Sequence, residues 1–183
     1  MSHSFKTEAI VLKRTNTGET DRIVTLLSKE RGKIVCVAKG VRKLKSSNRA
    51  ILEPGNLAEF FLIETKSLPI LTQSRLVQEA KTIRQSLVGI SQLSQILEIF
   101  DRLFVENFIE EENSELAFAI HAELLKINKN NKKITLMLHE LIKKLGYQDI
   151  LATGYAHVLD YVAEISERSE EHTSELQSPY VIS

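Results

Sequence analysis

The sequence predicts an α+β fold in two domains: a five-stranded barrel over residues 1–80 and an α-helical bundle over residues 81–167. Short apolar runs separated by turn residues fill the first part, and after about residue 82 the apolar spacing changes from two to three or four. The charge divides at the same place. Residues 1–80 hold 14 Lys/Arg against 8 Asp/Glu, and residues 81–183 hold 10 against 16.

Each predicted strand lies between residues that favour turns. Gly18, Gly32 and the Pro54-Gly55-Asn56 segment mark three of these turns. The strands themselves cover about 9–14, Ile23–Leu27, Ile34–Ala38, Leu57–Ile63 and Leu68–Leu76. Five short strands, with one longer loop after the third, match the strand count of a small closed OB-fold barrel.

The second half shows helical periodicity. One long helix should present an apolar face made by Leu87, Ile90, Leu93, Leu97, Phe100, Leu103 or Phe104, and Phe108. A second helix is marked by Leu116, Ile120, Leu124 and Ile127, and a third, which ends at Gly146, by Ile134, Leu138, Leu141 and Leu145. A weaker fourth element covers about His157–Ile165.

The stretch Arg31–Leu52 is strongly basic and contains no acidic residue. Mobile Lys and Arg side chains among small residues suit the binding of phosphate groups. We therefore predict that the loop after the third strand contacts a nucleic-acid backbone, although its charges are also compatible with a solvated surface. The predicted contacts are Lys39, Arg42, Lys43, Lys45 and Arg49, with Arg14 and Arg22 as weaker candidates.

Aromatic residues that could stack on bases are few in the barrel segment. They are Phe5, Phe60 and Phe61, and the two adjacent phenylalanines must point to opposite faces of their strand. One of the pair should be buried in the core. Phosphate contacts, with low sequence specificity, should therefore dominate binding.

The residue patterns of catalysis are scarce. The five histidines show no metal-binding spacing, and no glycine-rich phosphate loop is present. Glu110-Glu111-Glu112 suits the start of a helix better than a metal site. Cys36, within an apolar strand, should be a buried small hydrophobe. We expect a protein that is not an enzyme and that needs no metal or cofactor.

Composition favours a protein of the cell interior. The single cysteine fits a reducing compartment, and no apolar run reaches the roughly 20 residues that span a bilayer. The first residues also lack the apolar run of a signal peptide. The expectation is a cytoplasmic protein without a membrane segment.

Five segments carry a family resemblance: KTEAIVLKR, GETDRIVTLLSKERGKI, VAKGVRK, LEPGNLAEFFLIE and SLPILTQSRLVQ. Their order and spacing across residues 5–80 resemble the N-terminal domain of the bacterial RecO recombination mediators, and LIKKLGY at 141–147 is compatible with the second domain. The resemblance implies an OB-fold followed by helices. It implies binding to single- and double-stranded DNA, strand annealing in DNA repair and recombination, and partnership with RecR and single-stranded-DNA-binding protein, so that RecA is loaded.

Two features depart from that family. Many members carry a four-cysteine zinc site after the LGY segment, where this sequence has QDILATGYAHVLDYVAEISE without cysteine, so zinc is not carried over. The string RSEEHTSELQS at 168–178 resembles an in-frame translation of a sequencing adapter. We expect the native sequence to diverge near Glu167 and residues 168–183 to be a disordered, non-native tail.

The acidic, apolar-ended tail of single-stranded-DNA-binding protein needs an apolar pocket with cations at its rim. The sequence places such cations at Lys126, Lys129, Lys132 and Lys133, where Ile127, Ile134 and Leu138 could form the floor. Two other classes of function remain open: an RNA-binding OB protein, and an adaptor that binds an acidic peptide.

Overall fold

The computed structural model describes residues 3–43 and 45–177. Five strands come first: β1 (Ser4–Thr17), β2 (Asp21–Ser28), β3 (Gly32–Ala38), β4 (Leu57–Ile63) and β5 (Ile70–Gln78). They form a closed barrel in the order β1-β2-β3-β5-β4. All neighbours are antiparallel except β3 and β5, which pair in parallel at Val37 and Ile70. The predicted OB-fold is confirmed.

β1 is the longest strand because it pairs with two neighbouring strands over different parts of its length. Its first half pairs with β4 and its second half with β2, and a shift of register between Val11 and Lys13 bends it around the barrel. Ala9 and Val11 belong to the barrel interior, whereas Ile10 and Leu12 are buried in a second core. The strand is therefore apolar on both faces over Ala9–Leu12.

That second core joins the barrel to the helices. Helices α2 (Leu87–Leu103), α3 (Glu111–Leu124), α4 (Asn131–Lys144) and α5 (Val158–Gln177) follow a short helix α1 (Asn48–Ile51) inside the loop after β3. Ile10, Leu12 and Leu27 of the barrel wall pack in one cluster with residues of α2, α3 and α4. The helical half therefore covers one side of the barrel.

The predicted faces of two helices need correction. Leu87 and Ile90 are exposed, and Phe108 lies beyond the end of α2 and is 61% exposed, while Ile96 and Ile99 are buried instead. Ile127 lies beyond the end of α3 and is 83% exposed. Periodicity gives the angle of a residue around a helix axis, but it does not show where the helix ends or how far its neighbour extends.

The C-terminal segment also differs from expectation. α5 continues to Gln177, so the backbone of residues 168–177 is helical where the sequence predicts disorder. Arg168 pairs with Glu164 one turn earlier, an arrangement that supports a helix locally. Residues 178–183 of the expected tail lie outside the described residues. Within the described part of the chain, no helix is both long enough and apolar enough to cross a membrane.

Candidate nucleic-acid interface

The basic loop, Lys39–Arg49, is fixed at its base to the turn between β1 and β2. The backbone N–H of Gly40 donates to Asp21 Oδ1 at 2.7 Å, and the N–H of Arg42 donates to the carbonyl of Thr20 at 2.9 Å. Val41 between them is 1% exposed and belongs to the barrel core. The loop therefore leaves the barrel in a defined direction, with its charged side chains outside.

The conformation of Gly40 allows this docking. Its φ of +65° lies in the left-handed region, which suits glycine, and its carbonyl accepts from the N–H of Lys43 at 3.1 Å. The N–H of Ser46 then donates to the carbonyl of Lys43 at 3.0 Å. Two successive turns therefore lead from the barrel into α1.

Lys39 and Lys43 lie near the carboxylate that anchors the loop. The Gly40 N–H and the Thr20 hydroxyl hold the pKa of Asp21 below its ordinary value, and the charges of the two lysines lower that pKa further. Both lysine side chains are exposed, as are those of Lys45 and Arg49. The predicted loop cations are thus available to a ligand from solvent.

Four arginines form a second group, called here the arginine cluster: Arg14, Arg22, Arg42 and Arg49. Burial lowers the pKa of Arg22, and the positive charges of the other three lower that pKa further. Arg22 Nε donates to Asn16 Oδ1 at 3.0 Å, and Arg42 donates to the Gly18 carbonyl at 3.1 Å. Tertiary structure thus brings the two weaker candidates, Arg14 and Arg22, beside the loop.

Two other cations of the basic stretch have different positions. Lys33 Nζ donates to the carbonyl of Asp101 at 2.8 Å and joins β3 to α2. Arg31 pairs with Glu64 at 3.0 Å, and its guanidinium lies 3.8 Å from the centre of the Phe5 ring. Neither belongs to the arginine cluster, so the continuous run in the sequence divides into separate sites.

The two adjacent phenylalanines of β4 differ in exposure. Phe60 is fully buried in the barrel, and Phe61 is 36% exposed on β4, with Lys6 Nζ 5.6 Å from its ring centre. The expectation that one of the pair is core is confirmed. Phosphate binding remains the chemistry that the basic loop offers.

Two of the four lysines predicted to bind the peptide, Lys126 and Lys133, pair with a buried acid. Glu123 is 5% exposed and accepts from Lys126 Nζ at 2.7 Å and from Lys133 Nζ at 3.3 Å. Lys126, the Asn130 N–H and Lys133 lower the pKa of Glu123 to about 2. Among the described residues, no ion pair involves Lys129 or Lys132.

Ile134 and Leu138 do line a cavity of about 600 Å³ between α2, α4 and residues 150–160. Its polar lining includes Asp160 and His157, not the predicted lysines. Ile127 does not contribute to it. The residues expected to make one groove are therefore divided between a cationic surface and a separate cavity.

Sequence reasoning did not identify two contacts that involve the arginine cluster and the turn Glu53–Asn56. Glu53 Oε1 is 2.7 Å from Arg14, and His121 Nε2 is 2.7 Å from the carbonyl of Gly55, two residues further on. Glu53 has no local sequence signal, and a lone histidine on an apolar face does not reveal its partner. Among the described residues, no three His, Cys, Asp or Glu side chains form a group that could hold a metal ion.

Comparison with known proteins finds similarity to one group, the RecO proteins. Residues 1–80 match the family model described as Recombination protein O N terminal. DNA repair protein RecO of Heliobacterium modesticaldum is 38% identical over 99 residues, which cover 54% of this chain and 36% of that protein. DNA repair protein RecO of Thermoanaerobacter sp. is 38% identical over 103 residues, or 56% of this chain and 42% of that protein.

A longer match extends through the helices. DNA repair protein RecO of Caldanaerobacter subterraneus is 31% identical over 151 residues, which cover 80% of this chain and 60% of that protein. The chain thus spans between 36% and 60% of the length of these three relatives. With the barrel order, the family match and these relatives taken together, residues 1–80 of this chain are an N-terminal domain of the RecO family, and the similarity to RecO proteins continues into the helices.

Proposed function

We propose that this protein binds single- and double-stranded DNA through the basic loop and the arginine cluster, and acts as a recombination mediator in DNA repair. The grouping of Arg14, Arg22, Arg42 and Arg49 beside the exposed lysines of the loop carries the proposal. A polyanion would release counterions on binding such a surface, so affinity should fall steeply with salt. The same surface supports annealing, because it can neutralise strands that repel one another.

The test is the salt dependence of binding to a labelled single-stranded oligonucleotide. Lys43→Gln, Lys45→Gln and Arg49→Gln together should flatten the slope of log affinity against log salt by about 2, since each contact contributes roughly 0.7. The matched control neutralises Lys6, Lys29 and Lys66, three exposed lysines near the other end of β1. Equal slopes for the two triple variants would mean that the basic loop is only a solvated surface.

The same titration shows whether the protein binds DNA or RNA more tightly. An RNA-binding protein should prefer an RNA oligonucleotide of equal length at fixed salt, because 2′-hydroxyl contacts distinguish the two polymers. A mediator of DNA repair should bind DNA at least as tightly. Annealing of complementary DNA strands would distinguish it further from an adaptor that binds only acidic peptides.

The mediator is proposed to work without catalysis, in the cytoplasm, and to assist RecA loading together with RecR. Annealing should proceed without ATP, because strand pairing itself is favourable once repulsion is screened. It should also proceed in EDTA. Loss of annealing on chelation, with recovery on addition of zinc, would contradict this part of the proposal.

The helical half is proposed to bind the acidic tail of single-stranded-DNA-binding protein through Lys126, Lys129, Lys132 and Lys133. Lys132 is exposed and Lys129 is half-buried, and both lie within four residues of a lysine that pairs with Glu123. Replacing Lys129, Lys132 and Lys133 with Glu should abolish binding of a fluorescent tail peptide while DNA binding persists. Peptide affinity within twofold of the wild type would place the site elsewhere.

A further inference from the structure

A carboxylate of the protein itself pairs with one member of the arginine cluster. Arg14 Nη1 lies 2.7 Å from Glu53 Oε1, and the two side chains are 24% and 39% exposed. Glu53 also raises the pKa of Arg22, against the effect of the neighbouring arginines. A carboxylate therefore occupies part of the surface that the proposed function assigns to phosphate.

The turn Glu53–Asn56 holds this carboxylate in place. The Gly55 N–H donates to the Val11 carbonyl at 2.8 Å, and the Val11 N–H donates to the Asn56 carbonyl at 2.9 Å. His121 of α3 donates to the Gly55 carbonyl at 2.7 Å, and Arg84 donates to the Pro54 carbonyl. Strand β1 and the helical half thus fix the turn from two sides, and the Glu53 backbone has little freedom to leave.

Carboxylate and phosphate oxygens compete for the same guanidinium donors. We propose that Glu53 is an internal competitor for nucleic-acid phosphate at Arg14, and that it sets how tightly the barrel binds a strand. The proposal rests on the proposed function. A phosphate must displace Glu53 to reach Nη1 of Arg14, so in this proposal Arg14 adds little to affinity while the carboxylate is charged and in place.

The experiment compares Glu53→Gln with wild type in binding to a labelled oligo-dT over a range of salt. The variant should gain one phosphate contact, so its salt slope should be steeper by about 0.7 and its affinity at 0.1 M salt about fivefold higher. Glu64→Gln is the matched control. Glu64 pairs with Arg31 at 3.0 Å and is 46% exposed, far along the barrel from Arg14.

Long-range charge alone cannot mimic the expected result. Arg14 and Arg31 lie toward opposite ends of β1, and screening limits charge effects to about 10 Å at 0.1 M salt. Combining Arg14→Gln with Glu53→Gln should remove the gain, whereas Arg14→Gln alone should change the slope by much less than 0.7. This pattern tests competition at Arg14 itself.

Two outcomes overturn the inference, and they are distinguishable. If Glu53→Gln binds like Glu64→Gln while the loop variants still flatten the slope, the competitor role is wrong and the proposed function stands. If wild-type protein shows no salt-dependent binding to DNA, the proposed function fails and the inference fails with it. Surface ion pairs contribute little to stability, so both Glu variants should fold.

Discussion

His121 and Gly55 join the two halves of the protein. The Nε2 atom of His121 lies 2.7 Å from the Gly55 carbonyl, and both groups are buried. A carbonyl can only accept, so Nε2 carries the proton. This one bond ties α3 to the turn that supports Glu53 and the arginine cluster.

Removing this hydrogen bond should destabilise the protein. His121→Leu keeps an apolar side chain at the buried position but leaves the Gly55 carbonyl unsatisfied, at a cost of about 1–3 kcal/mol. Urea unfolding followed by circular dichroism measures the change. His157→Leu, at an exposed histidine, is the control and should change the free energy of unfolding far less. Equal losses in the two variants would show that the bond contributes nothing specific.

The same histidine should make stability depend on pH. Burial lowers the pKa of His121 below its ordinary value of 6.5, so the folded protein keeps the ring neutral where the unfolded chain is already protonated. The unfolded state then binds more protons, and stability falls as pH decreases below about 6.5. Urea midpoints at pH 7.5 and 5.5 measure this. His121→Leu should show a smaller loss over that interval than the wild type.

Gly55 and Gly146 have similar φ angles, so substitutions at the two positions can distinguish the cost of backbone strain from the cost of crowding. Gly55 has φ +94° and Gly146 has φ +90°, but an added Cβ at Gly55 would lie 2.8 Å from Leu93 Cδ2, and at Gly146 it would meet open space. Gly146→Ala should cost about 1–2 kcal/mol from backbone strain. Gly55→Ala should cost about 1–3 kcal/mol more because of overpacking. Thermal melts that give equal losses would contradict the packing found at Gly55.

Lys33 and Lys43 should have opposite effects although both belong to the basic stretch. Lys33 is tied to Asp101, so Lys33→Gln should lower stability by about 1 kcal/mol and leave the salt slope of DNA binding unchanged. Lys43 is exposed, so Lys43→Gln should flatten the slope by about 0.7 and leave stability unchanged. A flattened slope for Lys33→Gln would place DNA contacts beyond the basic loop.

Cys36 should react only when the barrel opens. The side chain is fully buried, and burial raises the pKa of the thiol to about 12. A thiol-reactive dye should label the native protein slowly and the urea-unfolded protein at once, because the thiolate is the nucleophile. Rapid stoichiometric labelling in buffer would contradict the burial of Cys36.

Local pattern was sufficient to locate most of the elements. β4 has the predicted bounds, Leu57–Ile63, and α4 buries Ile134, Leu138 and Leu141 as its spacing requires. Strand and helix periods are short-range properties, so they are visible in sequence. Ile127 and Phe108 were misplaced because periodicity continued past the point where each helix stops.

The sequence by itself determined the OB-type barrel, the helices after it and the cationic character of the loop after β3. Tertiary structure alone decided which cations share a surface. It separated Arg31 and Lys33 from the basic loop, placed Arg14 and Arg22 beside it, and set Glu53 against Arg14. The physical reason is that charges act through space over several ångströms, while residues 14, 22, 49 and 53 become neighbours only when β1, β2 and the loop close the barrel.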